Sequence, residues 1–394
     1  MEAERRERLV TFPFALVTGA TLAYFTCMGA LLPIVPRYVE DELDGGGVAV
    51  GVGVGAFAVS AALLRPWAGR LGDRFGRRVL VVAGSATVGA SVLCYGFAGN
   101  LFELVLLRLV TGVGEAAMWV GAATAVQDMA PADRRGEAAS YFSVALYAGL
   151  AIGPLAAESL LHASGFDAVF VMCACCAFVA CALGSRTPRG TTEVVEGPQK
   201  LLHPAALGPG LVLLLGLIPF TGFGAFLALY GEQIGIDDVG PVFLVYAGLV
   251  LLIRVFAARL PDRLGWRVAS TGALISVGVA GAILGLWRSV AAVYIATIPM
   301  AMGMSLLFPA LFSAVVNDAP ESERSSAVGT FSLFFDLSQG IGAPLLGVVV
   351  ALADSYQAAF LVSSLAAVGG FAAQRALHVR STDVDLEDAE TAHS

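Results

Sequence analysis

The sequence predicts an all-α membrane protein with twelve transmembrane helices arranged as two pseudo-symmetric six-helix bundles. Composition is the first sign: 57 % of the 394 residues are apolar and only 14 % charged. The mean hydropathy of +0.80 is beyond what a soluble chain of this length carries. The second sign is spacing, because apolar runs of about 20 residues, the length that crosses ~30 Å of hydrocarbon, recur along the whole chain. The third is an internal repeat. Residues 63–79 return as 252–268, 189 positions later, with ten of seventeen identical, among them Arg65/Arg254, Asp73/Asp262 and Gly76/Gly265. The same offset carries Ala125-Val126 onto Ala314-Val315 and Phe142-Ser143 onto Phe331-Ser332. Two parallel halves in an apolar chain mark a secondary transporter whose site lies between them.

Taken in order, the spans fall at 11–35, 47–68, 79–98, 102–127, 138–160, 167–184, 205–229, 240–258, 268–287, 289–315, 326–351 and 357–376. The first continues to Pro33 and Pro36 without a small-residue cleavage site, so it reads as a retained span. Short cytoplasmic loops keep Lys and Arg. With both termini inside, 20 of the 23 basic residues, Arg65 and Arg254 counted among them, fall on the cytoplasmic side. Arg37 and Arg288 lie outside, and Arg108 lies within span 4. Residues 1–185 then form the first bundle, 186–204 a cytoplasmic linker and 205–378 the second bundle. Residues 379–394, with Asp383, Asp385, Glu387, Asp388 and Glu390, form a disordered acidic cytoplasmic tail.

Several chemistries are excluded. The single lysine, Lys200, is followed by Leu201, so there is no phosphate-binding GxxxxGK[ST] loop; ATP is not the direct energy source, and energy comes from a gradient or there is none. None of His162, His203, His378 and His393 lies mid-span, which removes the usual metal ligand and proton shuttle from the membrane interior. Cys173, Cys175, Cys176 and Cys181 crowd span 6 and read as small packing residues. Gly47, Gly51 and Gly55 recur every four residues and make a smooth stripe for close helix packing. An intramembrane protease would need a GxGD element or a membrane histidine, and the chain has neither. The expectation is a non-enzymatic monomer with no metal, no organic cofactor and no nucleic-acid partner. Its ligands are protons and a small molecule, and its surroundings are the bilayer of the cell membrane.

The duplicated loop is the most specific motif. Gly69-Arg70-Leu71-Gly72-Asp73-Arg74-Phe75-Gly76-Arg77-Arg78 lies between spans 2 and 3, and Asp262-Arg263-Leu264-Gly265-Trp266-Arg267 is its degenerate copy between spans 8 and 9. Gly76 permits a tight reversal, the arginines hold the loop inside, and Asp73 ends a helix where its charge needs partners. This loop resembles the signature of the major facilitator superfamily. Pro33-Ile-Val-Pro36 in span 1, Arg108-Leu-Val-Thr-Gly112-Val-Gly114 in span 4 and Gly149-Leu-Ala-Ile-Gly153-Pro154 in span 5 are similar to motifs of its twelve-helix drug:proton antiporters. Where that family has a glycine pair after the span 5 motif, this chain has Ala157-Glu158. The resemblance implies that Asp73 and Arg77 latch the bundles in an outward-open state through span 11 and the end of span 4, where Asp128 sits. It also implies that the span 5 motif belongs to export.

Charges inside a bilayer are costly, so each one points to function. Arg108, Thr111, Glu115 and Trp119 share one face of span 4 at 100° per residue. That face has no copy in the other half, since Arg108 maps to Thr297 and Glu115 to Met304. In span 11, Ser332, Asp336 and Gln339 make a second polar stripe beside Phe334 and Phe335. Asp336, Glu115 and, near the outer end of span 5, Glu158 are the candidate proton carriers. Arg108 can pair with cargo or with Glu115, and both readings stand on the sequence alone. Trp119, Phe223 and Phe334 are expected to line an apolar cavity. Two acids against one base there favour neutral or cationic cargo. The expected function is proton-coupled export of a small lipophilic compound, such as a drug, antibiotic or secondary metabolite, by alternating access. The alternative is a nutrient importer or facilitator of the same superfamily.

Overall fold

Helix ends in this chain are set by caps and glycines that repeat between the halves. The computed structural model describes residues 11–131, 134–188, 202–256, 264–320 and 323–392, with the backbone alone at 73, 135–136, 255, 324–326 and 378–392. These residues hold α1 (Phe12–Asp41), α2 (Gly47–Phe75), α3 (Arg77–Leu93), α4 (Leu101–Asp128), α5 (Arg135–Gly184) and α6 (Pro204–Gln233). The rest are α7 (Gly240–Phe256), α8 (Trp266–Leu286), α9 (Val290–Asp318), α10 (Arg324–Ala353) and α11 (Tyr356–Ala392). Asn100 caps α4 by accepting from the amide of Glu103 at 3.1 Å, and Ser289, 189 positions later, caps α9 by accepting from Ala292 at 3.1 Å. The reversal before α3 uses Gly76 at φ 89°, and the one before α8 uses Gly265 at φ 77°. A side chain at either position would be strained.

Nine helical stretches among the described residues are long and apolar enough to cross a bilayer. Of the others, α4 carries Glu103, Arg108 and Glu115 in its apolar run and α7 has 17 residues. The expected spans 138–160 and 167–184 lie on either side of Gly165 (φ 80°, ψ −177°), the residue within α5 that leaves helical geometry, so two helices follow one another there without an intervening loop. The backbone of α11 is helical to Ala392, through the stretch expected to be an acidic tail. No glycine or proline follows Gly370 to stop it. Most of the expected linker (189–201), with Asp262 and Arg263 of the second loop, lies outside the described residues.

In the first half α1 packs on α5, and α4 on α2 and α3; in the second, α9 packs on α8, and α6 on α10 and α11. The halves meet along two seams, α2 with α10 and α7 with α5, which the repeat relates to each other, and α1 approaches α6 between them. The glycine stripe of α2 builds the first seam. A Cβ on Gly51 would lie 2.3 Å from the carbonyl oxygen of Ala343, and one on Gly55 2.8 Å from that of Gln339. Only bare backbone allows so close an approach.

Candidate transport cavity

A cavity of about 400 Å³ lies between the halves, walled largely by Phe25, Trp119, Phe142, Phe220, Phe308 and Phe335. Its lining reaches Gln127 and Ala139, at the end of α4 and the start of α5, on the face that carries the basic loops. On that face a Cβ on Gly69 of α2 or on Gly329 of α10 would meet no neighbour within 4 Å. The opposite end is shut. There Arg37 of α1, 3 % exposed, forms an ion pair with the fully buried Glu158 of α5 and another with Glu232 of α6 at 2.7 Å. It also donates to the carbonyl of Asp237 at 3.0 Å, and Tyr356 of α11 donates to Glu40 of α1 at 3.1 Å. All of these contacts except the one to Glu158 join one half to the other. Glu158, expected near headgroup water, therefore sits inside this closure and away from the cavity, because Arg37 provides the counter-charge that burial demands.

Two of the expected acids meet at a base that the sequence reading placed on the cytoplasmic face. Arg65 of α2 is buried between the halves. Its Nε lies 2.5 Å from Asp336 Oδ2, and its Nη2 donates to Asp336 Oδ1 at 2.7 Å. The same Nη2 lies 3.2 Å from Glu115 Oε1, and the guanidinium stands 5.5 Å from the centre of the Trp119 ring. Arg65 and Glu115 belong to one half and Asp336 to the other, so the bond to Asp336 crosses the seam. One base holding two acids leaves the cluster with a formal charge of −1. Arg254, the repeat mate of Arg65, also lines the cavity and crosses the second seam. It donates to Ser143 Oγ and to Tyr147 Oη, each at 3.2 Å.

Of the candidate cavity residues, Arg108, Glu115, Trp119 and Gln339 line this space, and Asp336 reaches it through Arg65. Arg108 does not pair with Glu115: it donates to the backbone carbonyls of Gly53 at 2.9 Å and Val54 at 2.7 Å, above the Phe57 ring. Thr111 turns away from the cavity, its hydroxyl bonded to Ser91 at 2.9 Å and to Tyr95 at 2.5 Å, since α3 packs closer to it than the opening does. Phe334 is turned into α6 against Gly210, and Phe335 takes its expected place, because the helical repeat puts Ser332, Phe335 and Gln339 on one face. Phe223 is fully buried against Phe243 and Tyr246, one turn beyond Phe220, which does line the cavity. The expected count of one base is likewise corrected: Arg65, Arg108 and Arg254 all face this space.

Around the first basic loop, Arg77 Nε lies 3.3 Å from Asp128 Oδ2, joining α3 to α4, and Arg74 stacks 5.2 Å from the Phe75 ring. Gly149 and Gly153, just before Pro154, bring α5 against α1, where a Cβ on Gly153 would lie 2.3 Å from the carbonyl oxygen of Thr26.

Comparison with known proteins agrees with this architecture. A sequence model described as Major Facilitator Superfamily matches residues 17–343. An uncharacterised MFS-type transporter of Salmonella typhimurium is 27 % identical over 366 residues, covering 90 % of this chain and 94 % of the relative. One from Pseudomonas aeruginosa is 31 % identical over 403 residues, covering 94 % of each. Among solved structures, a bacterial homologue of the human lysosomal transporter Spinster, inward-facing and unoccupied, superposes with a TM-score of 0.75. It is 16 % identical, over 94 % of this chain and 98 % of that one. At that identity the likeness shows the fold alone.

Proposed function

Since the chain belongs to the major facilitator superfamily, we propose that it is a proton-coupled exporter of a small, largely apolar organic compound, working by alternating access. The observation that carries this reading is the Arg65 cluster, in which one guanidinium holds Glu115 of its own half and Asp336 of the other beside an aromatic cavity. A secondary transporter needs a group whose bonding differs between its states and whose charge a proton can cancel. Asp336 meets both needs. Protonation would remove most of the attraction that joins α2 to α10 at this depth, and the seam would be free to part. In the positive-inside orientation the open end faces the cytoplasm, where an exported compound would enter. The closure built on Arg37, Glu158 and Glu232 would then open outward to release it. The resemblance of the span 5 motif to that of exporters supports the direction, and Gly149 and Gly153 join α5 closely to α1 within one half.

Cells overexpressing the protein, challenged with a panel of lipophilic compounds, test the direction of transport. Resistance to one compound, with its cellular accumulation lowered and restored by a protonophore, is the expected result. Raised accumulation of a polar nutrient would establish import instead, and unchanged accumulation of every compound would refute transport of this cargo class.

A further inference from the structure

The two seams of the cavity are related by the repeat, yet they differ in charge. At the first, Arg65 faces Asp336 and Glu115. The same offset of 189 carries Arg65 onto Arg254, places Tyr147 where the first seam has Asp336, and places Met304 where it has Glu115. Neutral side chains therefore replace both carboxylates at the second seam. Among the described residues no carboxylate pairs with Arg254, and its buried Nε has no hydrogen-bond partner. Its other two nitrogens donate to Ser143 Oγ and Tyr147 Oη at 3.2 Å each, and the guanidinium lies 4.8 Å from the Tyr147 ring centre. Both hydroxyls act as acceptors toward Arg254, so their own hydrogens remain to be donated. The subsite thus presents a guanidinium N–H and two O–H groups, and an uncompensated charge beside a low-dielectric wall calls for an anion.

The whole cavity has the same sign. Three guanidiniums, those of Arg65, Arg108 and Arg254, stand against the carboxylates of Glu115 and Asp336, an excess of one positive charge. Arg108 already bonds two backbone carbonyls, which leaves Arg254 as the base with its charge least answered. From this geometry we infer that Arg254, Tyr147 and Ser143 bind the carboxylate of an organic monoanion whose apolar, aromatic body lies against Phe142, Phe220 and Tyr246. This inference rests on the cavity being the cargo site, and it replaces the preference for neutral or cationic cargo. Guanidinium and carboxylate match as planar groups that can share two hydrogen bonds. Exchange of such an anion outward for one proton inward moves two elementary charges in the same sense. A neutral cargo moves one and a monovalent cation none.

Three probes with the same body separate the cases: 2-naphthoate, 2-naphthalenemethanol and 2-naphthylmethylammonium, titrated calorimetrically into the purified full-length protein in detergent. The expected order is naphthoate tightest, by about tenfold or more over the alcohol, since hydrogen bonds to charged groups are worth ~1.5–3 kcal/mol, and the ammonium weakest. Arg254→Gln should bring naphthoate down to the level of the alcohol and leave the alcohol unchanged. Tyr147→Phe should weaken naphthoate binding in part, while Arg254→Lys, which keeps the charge without the planar fork, should retain an intermediate affinity. Lys and Phe carry the same comparison if the Gln variant does not fold. Equal naphthoate affinity in wild type and these variants, a wild-type preference for the ammonium, or no naphthoate binding at all would overturn the subsite. Proteoliposome transport separates this from the exporter reading. Naphthoate that binds through Arg254 but does not move under a pH gradient refutes proton coupling and leaves the subsite standing. Gradient-driven movement of the ammonium probe alone does the reverse.

Discussion

Asp336→Asn removes the carboxylate charge that bonds Arg65 across the seam while keeping the size of the side chain. Two contacts are affected, at 2.5 Å and 2.7 Å. The second is a charge-assisted hydrogen bond, which contributes ~1.5–3 kcal/mol to a state that makes it, and an amide oxygen retains part of that; the first is an ion-pair contact. If the contacts exist only while α2 and α10 are closed, the substitution shifts the balance between conformations by roughly 10-fold to 100-fold. Folding should suffer less. The cluster passes from a formal charge of −1 to neutrality, and Arg65 keeps Glu115 at 3.2 Å, so the loss stays below the ~3–5 kcal/mol of stranding a buried charge. The protein should therefore express and bind cargo, yet fail to couple. In proteoliposomes, net efflux driven by a pH gradient should be abolished while energy-independent exchange of labelled cargo persists. Glu115→Gln removes the longer contacts within one half and should impair coupling less. Gradient-driven pumping by Asp336→Asn at the wild-type level would refute the reasoning, and a more damaging Glu115→Gln would move the coupling site to span 4.

Arg65→Gln strands both acids, so thermal unfolding in detergent should show a loss of ~3–5 kcal/mol, and adding Asp336→Asn should recover part of it. If Arg65→Gln is as stable as wild type, the cluster is not held by that guanidinium. Gly51→Val places a branched side chain where Ala343 O leaves 2.3 Å for a Cβ, which should force the closed seam apart. Labelling of a Val350→Cys reporter by an impermeant maleimide should then rise several-fold, and unchanged labelling would argue against the seam as the outer closure. Asp73→Asn should slow turnover several-fold with expression and cargo binding preserved, if Asp73 latches the halves in one state as the family resemblance implies. Asp262→Asn should matter less, and the opposite order would transfer the principal gate to the second half.

The fold was legible because a bilayer leaves little choice: backbone groups must be satisfied within helices, and a repeat fixes how many there are and which pairs correspond. The helix caps show how deep that legibility runs, since Asn100 and Ser289 differ as residues yet make the same bond 189 positions apart. Gly165 falls in the interval 161–166 left between two expected spans and breaks the helix there by itself, since a glycine at positive φ turns the chain without a longer loop. Phe334 and Phe335 were confused because a helical period assigns a face only once the facing helix is known. Arg65 was missed for a different reason. It lies 18 residues after Gly47, ~27 Å of helix rise, which is still within ~30 Å of hydrocarbon. Its place in the repeated basic tract made it read as a topology signal, although the span assigned to 47–68 already contained it. The same argument applies to Arg254 within 240–258. The repeat separates the two arginines by what faces them: both halves keep the guanidinium, and only the first seam sets carboxylates against it. Glu115 against Met304, Arg108 against Thr297 and Asp336 against Tyr147 are the departures from symmetry at this depth. Each of the three involves a charged side chain beside the cavity or bonded to one that lines it. An ion-coupled site built on a symmetric scaffold has to break that symmetry in charge, because two equivalent seams would hold the proton and the cargo equally well and could not exchange one for the other.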